Sequence, residues 1–182
     1  MMLKKYLKRI LYRLRGDHTT EILIKRGMKV GQNFKRLHGV ILDPAHCWLI
    51  SIGNNVTMAP RVHILAHDAS TKTFLGYTII GRVKIGNNVF IGAETVVLPN
   101  VTIGDNVVVG ANSTVSKSLA SNGVYAGSPA KFICSLEEYL ERNSELMKSN
   151  PKYDESFIIG NITKENKAKM IKDLNDKIGY II

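Results

Sequence analysis

The middle of the chain repeats every six residues, and this period constrains the fold more than any other feature. From Ile79 the sequence divides into seven successive blocks of six, each of which opens with isoleucine or valine. The opening residues are Ile79, Ile85, Ile91, Val97, Ile103, Val109 and Val115. Blocks in the same phase open upstream at Ile52 and Met58, and a weaker copy opens at Val30. A period of six belongs neither to a helix nor to a plain alternating strand.

Such a period is typical of a coil with three flat sides, each side being one short strand. The first residue of each block would point inward and stack on its equivalent three blocks further along the chain. The fifth position is also mostly aliphatic or small, and isoleucine plus valine (34) outnumber leucine (16), as β structure favours. Glycine, asparagine and aspartate recur where the corners would fall and tolerate unusual backbone angles. The sequence therefore predicts a parallel β-helix, and the spacing leaves its handedness open.

Composition excludes several classes of protein. A chain of 182 residues that is 45% hydrophobic can bury one core, and its two cysteines are too few for a disulfide-stapled secreted domain. No apolar run is long enough to span a membrane and no secretory signal is recognisable, so we expect a cytoplasmic protein. The net charge of +10 is concentrated locally, with six positive side chains in the first 15 residues. We expect no nucleic-acid partner.

The blocks from Ile85 to Ser118, followed by VYAGSPAKFI, resemble the hexapeptide-repeat acyltransferases with a left-handed β-helix. Within them the chain is most similar to the branch containing maltose, galactoside and capsular-polysaccharide O-acetyltransferases, over roughly residues 28–134. The resemblance implies a homotrimer with acetyl-CoA bound in a groove between neighbouring coils, and no required metal. It also implies transfer of the acetyl group to a hydroxyl of a sugar or a cell-surface glycan precursor.

The repeat is interrupted between Leu65 and Thr78 by the polar segment LAHDASTKTFLGYT. Loops of this length in a compact fold are often functional. His67 stands at its base, where family members have a catalytic histidine, and the resemblance implies that it is the general base. An imidazole with its reference pKa of about 6.5 can take a proton from a hydroxyl, whose oxygen then attacks the thioester. Asp68 would orient a histidine or contact a substrate hydroxyl.

A second candidate cluster is DPAHCW, where the six-residue register slips. It supplies a carboxylate, an imidazole and the only tryptophan, groups that sugar acceptors commonly need. We expect Asp43, His46 and Trp48 to bind the acceptor, with a trimer bringing this segment near the histidine of a neighbouring subunit. The alternative is a packed corner with Trp48 and Cys47 buried. Covalent catalysis by Cys47 is not expected, because adjacent residues are poorly placed for an activated pair.

The resemblance also implies the remaining contacts. Phe90 would lie near the acceptor, where sugar acetyltransferases often have tryptophan. Ala93 and Ala111 would offer backbone groups and small side chains along the groove for the CoA arm. Positive charge pairs with phosphate, and the residues implied to lie toward the nucleotide are Ser116, Lys117 and Lys131.

Both ends of the chain are expected to be helical. Apolar residues at helical spacing among basic ones predict an amphipathic helix over 1–16. This helix would cap the open end of the coil, or lie on a membrane surface through residues 1–15. The β-helix would occupy residues 22–134, with an excursion loop over 66–78.

A C-terminal helical extension is predicted over 135–182. An S-x-x-E capping box that opens at Ser135 predicts a helix to about Met147. A further charged helix is predicted from Thr163 to about Lys177.

The sequence thus predicts an acetyl-CoA-dependent O-acetyltransferase that works by direct transfer in a ternary complex. Serine, amino-sugar N- and antibiotic acetyltransferases of the same fold are alternatives. A γ-type carbonic anhydrase would need three histidines around zinc; His63 and His67 are available, with no convincing third. A non-catalytic β-helix scaffold is the other alternative and would bind no CoA.

Overall fold

The computed structural model describes residues 18–182, so the predicted helix over 1–16 and its membrane contact lie outside the described residues. The chain divides into two compact units, the first ending at Leu136 and the second running from Glu137 to Ile182. The predicted boundary, after residue 134, lies slightly earlier in the chain.

The first unit is a coil with three flat faces, each a sheet of stacked short strands. Face 1 consists of β1 (Lys29–Val30), β4 (Ile50–Ile52), β9 (Val83–Ile85) and β12 (Thr102–Ile103). Face 2 consists of β2 (Lys35–Arg36), β5 (Thr57–Met58), β10 (Val89–Ile91), β13 (Val107–Val109), β15 (Gly123–Ala126) and β16 (Lys131–Ser135). Face 3 consists of β3 (Ile41–Leu42), β6 (His63–Ile64), β11 (Val96–Val97) and β14 (Thr114–Val115). The stacked strands are parallel, and β16 closes the last coil by pairing antiparallel with β15.

The core of the coil is made by two positions of each six-residue block. First positions from Ile85 to Val115 are at most 4% exposed, and fifth positions from Val83 to Ser113 are at most 1% exposed. Val89 pairs with Val107, its equivalent three blocks further along the chain. Burying a valine or isoleucine contributes roughly 1.5–3 kcal/mol, so this repeated stacking holds the coil together. The predicted parallel β-helix with two inward positions per block is confirmed.

A short helix that the sequence analysis did not predict lies before the first coil. It is α1 (Thr20–Lys25), and Thr19 caps it by accepting a hydrogen bond from the N–H of Ile22 at 3.4 Å. Leu23 on this helix is fully buried in the core of the coil. Helix α1 therefore covers apolar surface of the first coil.

Asparagines join successive coils at the corner between faces 1 and 2. Their φ angles lie between 54° and 61°, in the left-handed region that asparagine tolerates better than most residues. The members of this asparagine ladder are Asn33, Asn55, Asn88, Asn106 and Asn122. In each of the first four, the side-chain NH₂ donates to the amide oxygen of the asparagine in the next coil at 2.9 Å.

The glycines at this corner are required by space rather than by backbone angle. A Cβ atom at Gly53 would lie 2.5 Å from the carbonyl oxygen of Gly86 in the next coil. The predicted reason, an unusual backbone angle, therefore applies to the asparagines of the ladder and not to Gly53.

Two insertions interrupt the regular spacing of three blocks per turn. Ile41 pairs with His63, and His63 pairs with Val96, and both pairs are further apart in sequence than three blocks. The extra residues fall between β3 and β4 in one coil and between β6 and β9 in the next. Both insertions therefore lie at the corner between faces 3 and 1, in adjacent coils, and we call this place the insertion corner.

The longer insertion has secondary structure of its own. Strands β7 (His67–Asp68) and β8 (Ile79–Ile80) pair antiparallel, with helix α2 (Lys72–Leu75) between them. Ile79 is 47% exposed, so the prediction that it opens an inward-facing block is wrong. Pairing with β7 takes β8 out of the coil, which resumes at Val83, so the excursion extends beyond the predicted end at 78.

The second unit combines helices with a small sheet. Its elements, with the helix that leads into it, are α3 (Leu136–Ser149), β17 (Lys152–Tyr153), a 3₁₀ turn (Glu155–Phe157), α4 (Lys164–Asp173) and β18 (Tyr180–Ile181). Strands β17 and β18 pair in parallel, with Tyr153 buried. This pair was not predicted, and α4 ends before the predicted Lys177. Across residues 18–182, the helices are too short or too polar to cross a membrane.

Candidate functional site

The insertion corner brings together two residues that are distant in sequence. Asp43 follows β3 in the shorter insertion, and His67 opens β7 in the longer one. The Nδ1 atom of His67 lies 2.5 Å from Oδ2 of Asp43. The Asp43 side chain has no exposed surface, whereas that of His67 is 35% exposed. The two form a dyad with a buried carboxylate and an imidazole that reaches the surface.

Backbone N–H groups hold the carboxylate in place. Oδ1 of Asp43 accepts from the N–H groups of Ala45 at 2.9 Å and His46 at 3.2 Å, and Oδ2 accepts from Ala66 at 3.0 Å. Burial raises the pKa of Asp43, but the hydrogen bond from His67 and those from the three backbone groups together outweigh it, so the pKa lies below its ordinary value. The carboxylate is therefore ionised at neutral pH.

An ionised carboxylate can only accept hydrogen bonds. Nδ1 of His67 must therefore carry the proton that it shares with Asp43, which leaves the lone pair on Nε2. A histidine in this tautomer, held by a buried carboxylate, can take a proton at Nε2 and be stabilised once it is charged. The dyad can thus remove a proton from a hydroxyl.

Two further aromatic rings continue from the dyad to the surface. The His46 ring lies 5.1 Å from that of His67 and 5.4 Å from that of Trp48, measured between centroids. Trp48 is 55% exposed, whereas Cys47 is fully buried, with its sulfur 3.7 Å from the carbonyl oxygen of Leu23. The interpretation as a packed corner therefore holds for Cys47 and is wrong for Trp48.

The structure corrects two predictions about carboxylates. Asp43 cannot contact an acceptor, because its side chain has no exposed surface. It also meets His67 of its own chain, so no neighbouring subunit is needed to bring the two together. Asp68 is exposed and accepts from the N–H of Ser70 at 2.8 Å. That bond and one from the Ser70 side chain lower the pKa of Asp68, and orienting the histidine falls to Asp43.

Phe90 lies far from the dyad within one chain. It is on the outer side of face 2, in register with Thr57 and Val108, whereas the insertion corner lies between the other two faces. A single chain therefore does not bring Phe90 and His67 together.

The residues implied for CoA lie on either side of face 3. Ala93 and Ala111 are at the corner between faces 2 and 3, and the carbonyl oxygen of Ala93 accepts from the N–H of Asn112 at 2.7 Å. Ser116 and Lys117 follow β14 toward the insertion corner. Lys131 begins β16, next to Ala130, whose N–H donates to face 3 at Thr114. Ser116, Lys117 and Lys131 are exposed.

Among the described residues, one group of side chains could hold a metal ion, and it consists of Asp43, His46 and His67. One ligand atom from each lies within 4.8 Å of the others. His63 is outside this group, on the outer side of face 3 between Ile41 and Val96. The short hydrogen bond between Asp43 and His67 already engages these two side chains with each other.

Comparison with known proteins supplies the family. Residues 82–117 match the family model described as bacterial transferase hexapeptide (six repeats). Protein CapG of Staphylococcus aureus is 34% identical over 173 residues, which cover 88% of this chain and 99% of CapG. The chain belongs to the hexapeptide-repeat transferases.

Other relatives of this hexapeptide-repeat transferase are acetyltransferases. The galactoside O-acetyltransferase of Escherichia coli (strain K12) is 36% identical over 111 residues, which cover 57% of this chain and 52% of that protein. A maltose O-acetyltransferase structure from Clostridium difficile 630 has a TM-score of 0.53 at 39% identity, covering 60% of this chain and 59% of its own. A Vibrio cholerae hexapeptide-repeat acetyltransferase, complexed with acetyl coenzyme A, has a TM-score of 0.54 at 28% identity and covers 61% of each chain.

The chain spans between half and two thirds of the length of these three acetyltransferases. The predicted resemblance to the maltose and galactoside acetyltransferases is confirmed, and the chain is an acyltransferase. These relatives also imply the left-handed sense of the β-helix that the spacing alone leaves open.

Proposed function

We propose that this transferase moves the acetyl group of acetyl-CoA to a hydroxyl of a sugar or cell-surface glycan precursor, with His67 as general base. The observation that carries the proposal is the hydrogen bond between the partly exposed His67 and the buried carboxylate of Asp43. The acetyl-CoA complex of the Vibrio cholerae relative and the names of the galactoside and maltose O-acetyltransferases support the donor and the kind of acceptor.

The reaction is a direct transfer in a ternary complex. Nε2 of His67 takes the proton of the acceptor hydroxyl while the hydroxyl oxygen attacks the carbonyl carbon of the thioester. Backbone N–H groups stabilise the oxyanion that forms. The carbon–sulfur bond then breaks, and the leaving CoA sulfur takes the proton back from His67, so that the products are the acetyl ester and free CoA thiol. Asp43 stabilises the imidazolium between these steps.

Further residues are proposed to bind the acceptor and acetyl-CoA. Trp48 offers an exposed aromatic face to a sugar ring, which stacks well on such surfaces, and His46 and Asp68 would also contact the acceptor. The CoA arm would follow Ala93 and Ala111. The nucleotide phosphates would contact the positively charged Lys117 and Lys131, together with Ser116. No metal takes part in the proposed reaction.

A homotrimer is part of the proposal. The longer insertion presents three large apolar side chains to solvent, since Phe74, Leu75 and Tyr77 are 85%, 69% and 80% exposed. Clustered exposed apolar residues commonly mark a protein contact, and a neighbouring subunit would cover them. In such a trimer Phe90 would reach the acceptor only from a neighbouring chain.

Replacing His67 tests the proposed base. We expect His67→Ala to fold and to transfer acetyl groups about 10²–10⁴ times more slowly, because general-base catalysis contributes factors of this size. Thiol release from acetyl-CoA measures the rate. His38→Ala, which removes an exposed imidazole elsewhere on the coil, is the matched control and should leave the rate unchanged. Wild-type turnover in His67→Ala would remove His67 from the mechanism.

An acceptor screen tests the substrate class. Galactosides, maltose, amino sugars, serine and a macrolide are offered in turn with acetyl-CoA, in the presence of EDTA, and thiol release is recorded. We expect turnover with a sugar hydroxyl and no effect of EDTA. If no acceptor is turned over and calorimetry detects no CoA binding, the enzyme proposal is wrong. If activity is lost in EDTA and restored by zinc, a metal at Asp43, His46 and His67 replaces the general-base mechanism.

A further inference from the structure

We propose that His46 is a positioning residue that holds the imidazole of His67 in its working orientation by packing of the two rings. This inference rests on the proposed function of His67 as the general base. It gives His46 a role in the reaction that does not depend on contact with the acceptor.

His46 contacts both members of the dyad. Its backbone N–H donates to Oδ1 of Asp43 at 3.2 Å, and its ring lies 5.1 Å from the ring of His67, at an interplanar angle of 45°. The ring of Trp48 lies 5.4 Å from the same His46 ring. The imidazole of His46 therefore packs against the rings of both His67 and Trp48.

One hydrogen bond does not fix the plane of the His67 ring. The bond from Nδ1 to Asp43 holds a single atom, about which the ring can still pivot and carry Nε2 away from the acceptor. A second ring packed against it removes this freedom. Displacements of about 1 Å in a reacting group can lower a rate by about 10²-fold, so the contact with His46 has a measurable consequence.

The ring of His46, rather than its nitrogen, supplies this contact. Its Nδ1 atom is buried and has no hydrogen-bond partner among residues 18–182. A buried polar atom without a partner costs stability, so hydrogen bonding by Nδ1 does not account for a histidine here. At the start of the 3₁₀ turn Cys47–Leu49, the His46 side chain also makes no capping hydrogen bond. Packing against His67 is therefore the contact through which the side chain acts on the dyad.

Two substitutions separate the ring from the nitrogen. His46→Phe keeps an aromatic ring and removes both nitrogens, whereas His46→Asn keeps a hydrogen-bonding group near the position of Nδ1 and removes the ring. We expect His46→Phe to retain kcat within about threefold and His46→Asn to lower kcat by about 10- to 100-fold. KM for acetyl-CoA should be unchanged in both variants, because neither touches the residues proposed to bind CoA. Equal loss in both variants, or full activity in His46→Asn, would overturn the proposal.

Histidine NMR gives a readout that does not depend on turnover. The chain has five histidines, so labelled imidazole spectra are simple, and the signal missing in His67→Ala identifies His67. We expect this signal to stay sharp in His46→Phe and to shift or broaden in His46→Asn, because the ring is then free to pivot. An unchanged His67 signal in His46→Asn contradicts the inference. Full turnover in His67→Ala contradicts the proposed function instead, so the two failures are distinguishable.

Discussion

The carboxylate of Asp43 connects the two insertions at the level of single residues. It accepts from the N–H groups of Ala45 and His46 in the shorter insertion, and from Ala66 and His67 at the start of the longer one. Each of these donors stabilises the ionised form of the carboxylate. The same residue therefore fixes the local backbone and selects the tautomer of His67, the proposed base.

Replacing Asp43 by asparagine should affect both stability and rate. An amide NH₂ group in place of Oδ2 would face two donors, from Ala66 and His67, and we expect a loss of about 1–3 kcal/mol in the free energy of unfolding. If the asparagine instead turns its oxygen toward His67, its NH₂ group faces the N–H donors of Ala45 and His46 that Oδ1 of Asp43 accepts from in the wild type. Turnover should also fall sharply, because either orientation of the amide removes the negative charge that stabilises the imidazolium, and the orientation with NH₂ toward His67 also favours the wrong tautomer. Urea unfolding and thiol release at pH 7 measure the two effects.

The pH dependence of this stability loss follows from the direction of the pKa shift. The pKa of Asp43 is lowered in the folded chain, so its stabilising effect is complete above the ordinary carboxyl pKa of about 3.9. It is lost as the pH falls through the lowered pKa. We therefore expect the difference in unfolding free energy between the wild type and Asp43→Asn to be smaller at about pH 3 than at about pH 5. A difference that persists unchanged at about pH 3 would contradict this assignment.

At the residue scale the sequence predicts that His67 lies at the base of the excursion and misses its hydrogen-bond partner, Asp43. The place of His67 is predictable because a polar segment interrupts an apolar repeat. Asp43 is placed at the acceptor by the sequence pattern, because the pattern does not show which side of a corner is buried. Asp68, which is adjacent to His67 in sequence, is the more obvious partner, but its side chain hydrogen-bonds to Ser70.

At the scale of elements, the spacing of the repeats contains the missing information. Val30, Ile52 and Ile85 open equivalent blocks in three successive coils. Each of the two intervals between them is longer than three blocks of six, and both excesses fall after a strand of face 3. Adjacent coils stack in register, so two insertions at the same corner must lie next to each other. The dyad is predictable from this arithmetic, whereas the antiparallel pairing that exposes Ile79 is not.

The asparagine ladder makes a separate prediction for this scale. Asn88 has a φ of 54° and takes part in two amide hydrogen bonds, with Asn55 and Asn106. Asn88→Gly loses both bonds and keeps the backbone angle at little cost, whereas Asn88→Ala also has to adopt a left-handed angle, at about 1–2 kcal/mol. We expect both variants to unfold at lower temperature, and Asn88→Ala at the lower of the two.

An activity assay of Asn88→Gly and Asn88→Ala is the control for this stability prediction. The ladder lies at the corner between faces 1 and 2, away from the insertion corner, so kcat of the folded variants should equal that of the wild type. Equal melting temperatures for Asn88→Gly and Asn88→Ala would show that the backbone angle contributes nothing. Loss of activity without loss of stability would show that this corner takes part in the reaction.

At the scale of the whole molecule, one chain brings together some residues of the proposed site and leaves another distant from them. Asp43, His46 and His67 meet within one chain, whereas Phe90 lies on the opposite face of the coil. If Phe90 contacts the acceptor, it must do so from a neighbouring subunit. The proposed trimer, with a mass of about three times the 20.2 kDa chain, therefore predicts which pairs of defective subunits can restore each other.

Mixed trimers of inactive subunits test this division. His67→Ala mixed with Asp43→Asn should regain no activity, because each dyad needs both residues from one chain. His67→Ala mixed with Phe90→Ala should regain activity, because a subunit with an intact dyad can then lie beside one that has Phe90. About one third of the sites in each mixed trimer would be intact, because one of its three neighbouring pairs combines an intact dyad with Phe90. Two different affinity tags isolate the mixed trimers, and thiol release measures their activity. Recovery in the first mixture would show that the dyad forms between chains, and failure of the second would show that Phe90 does not act from a neighbour.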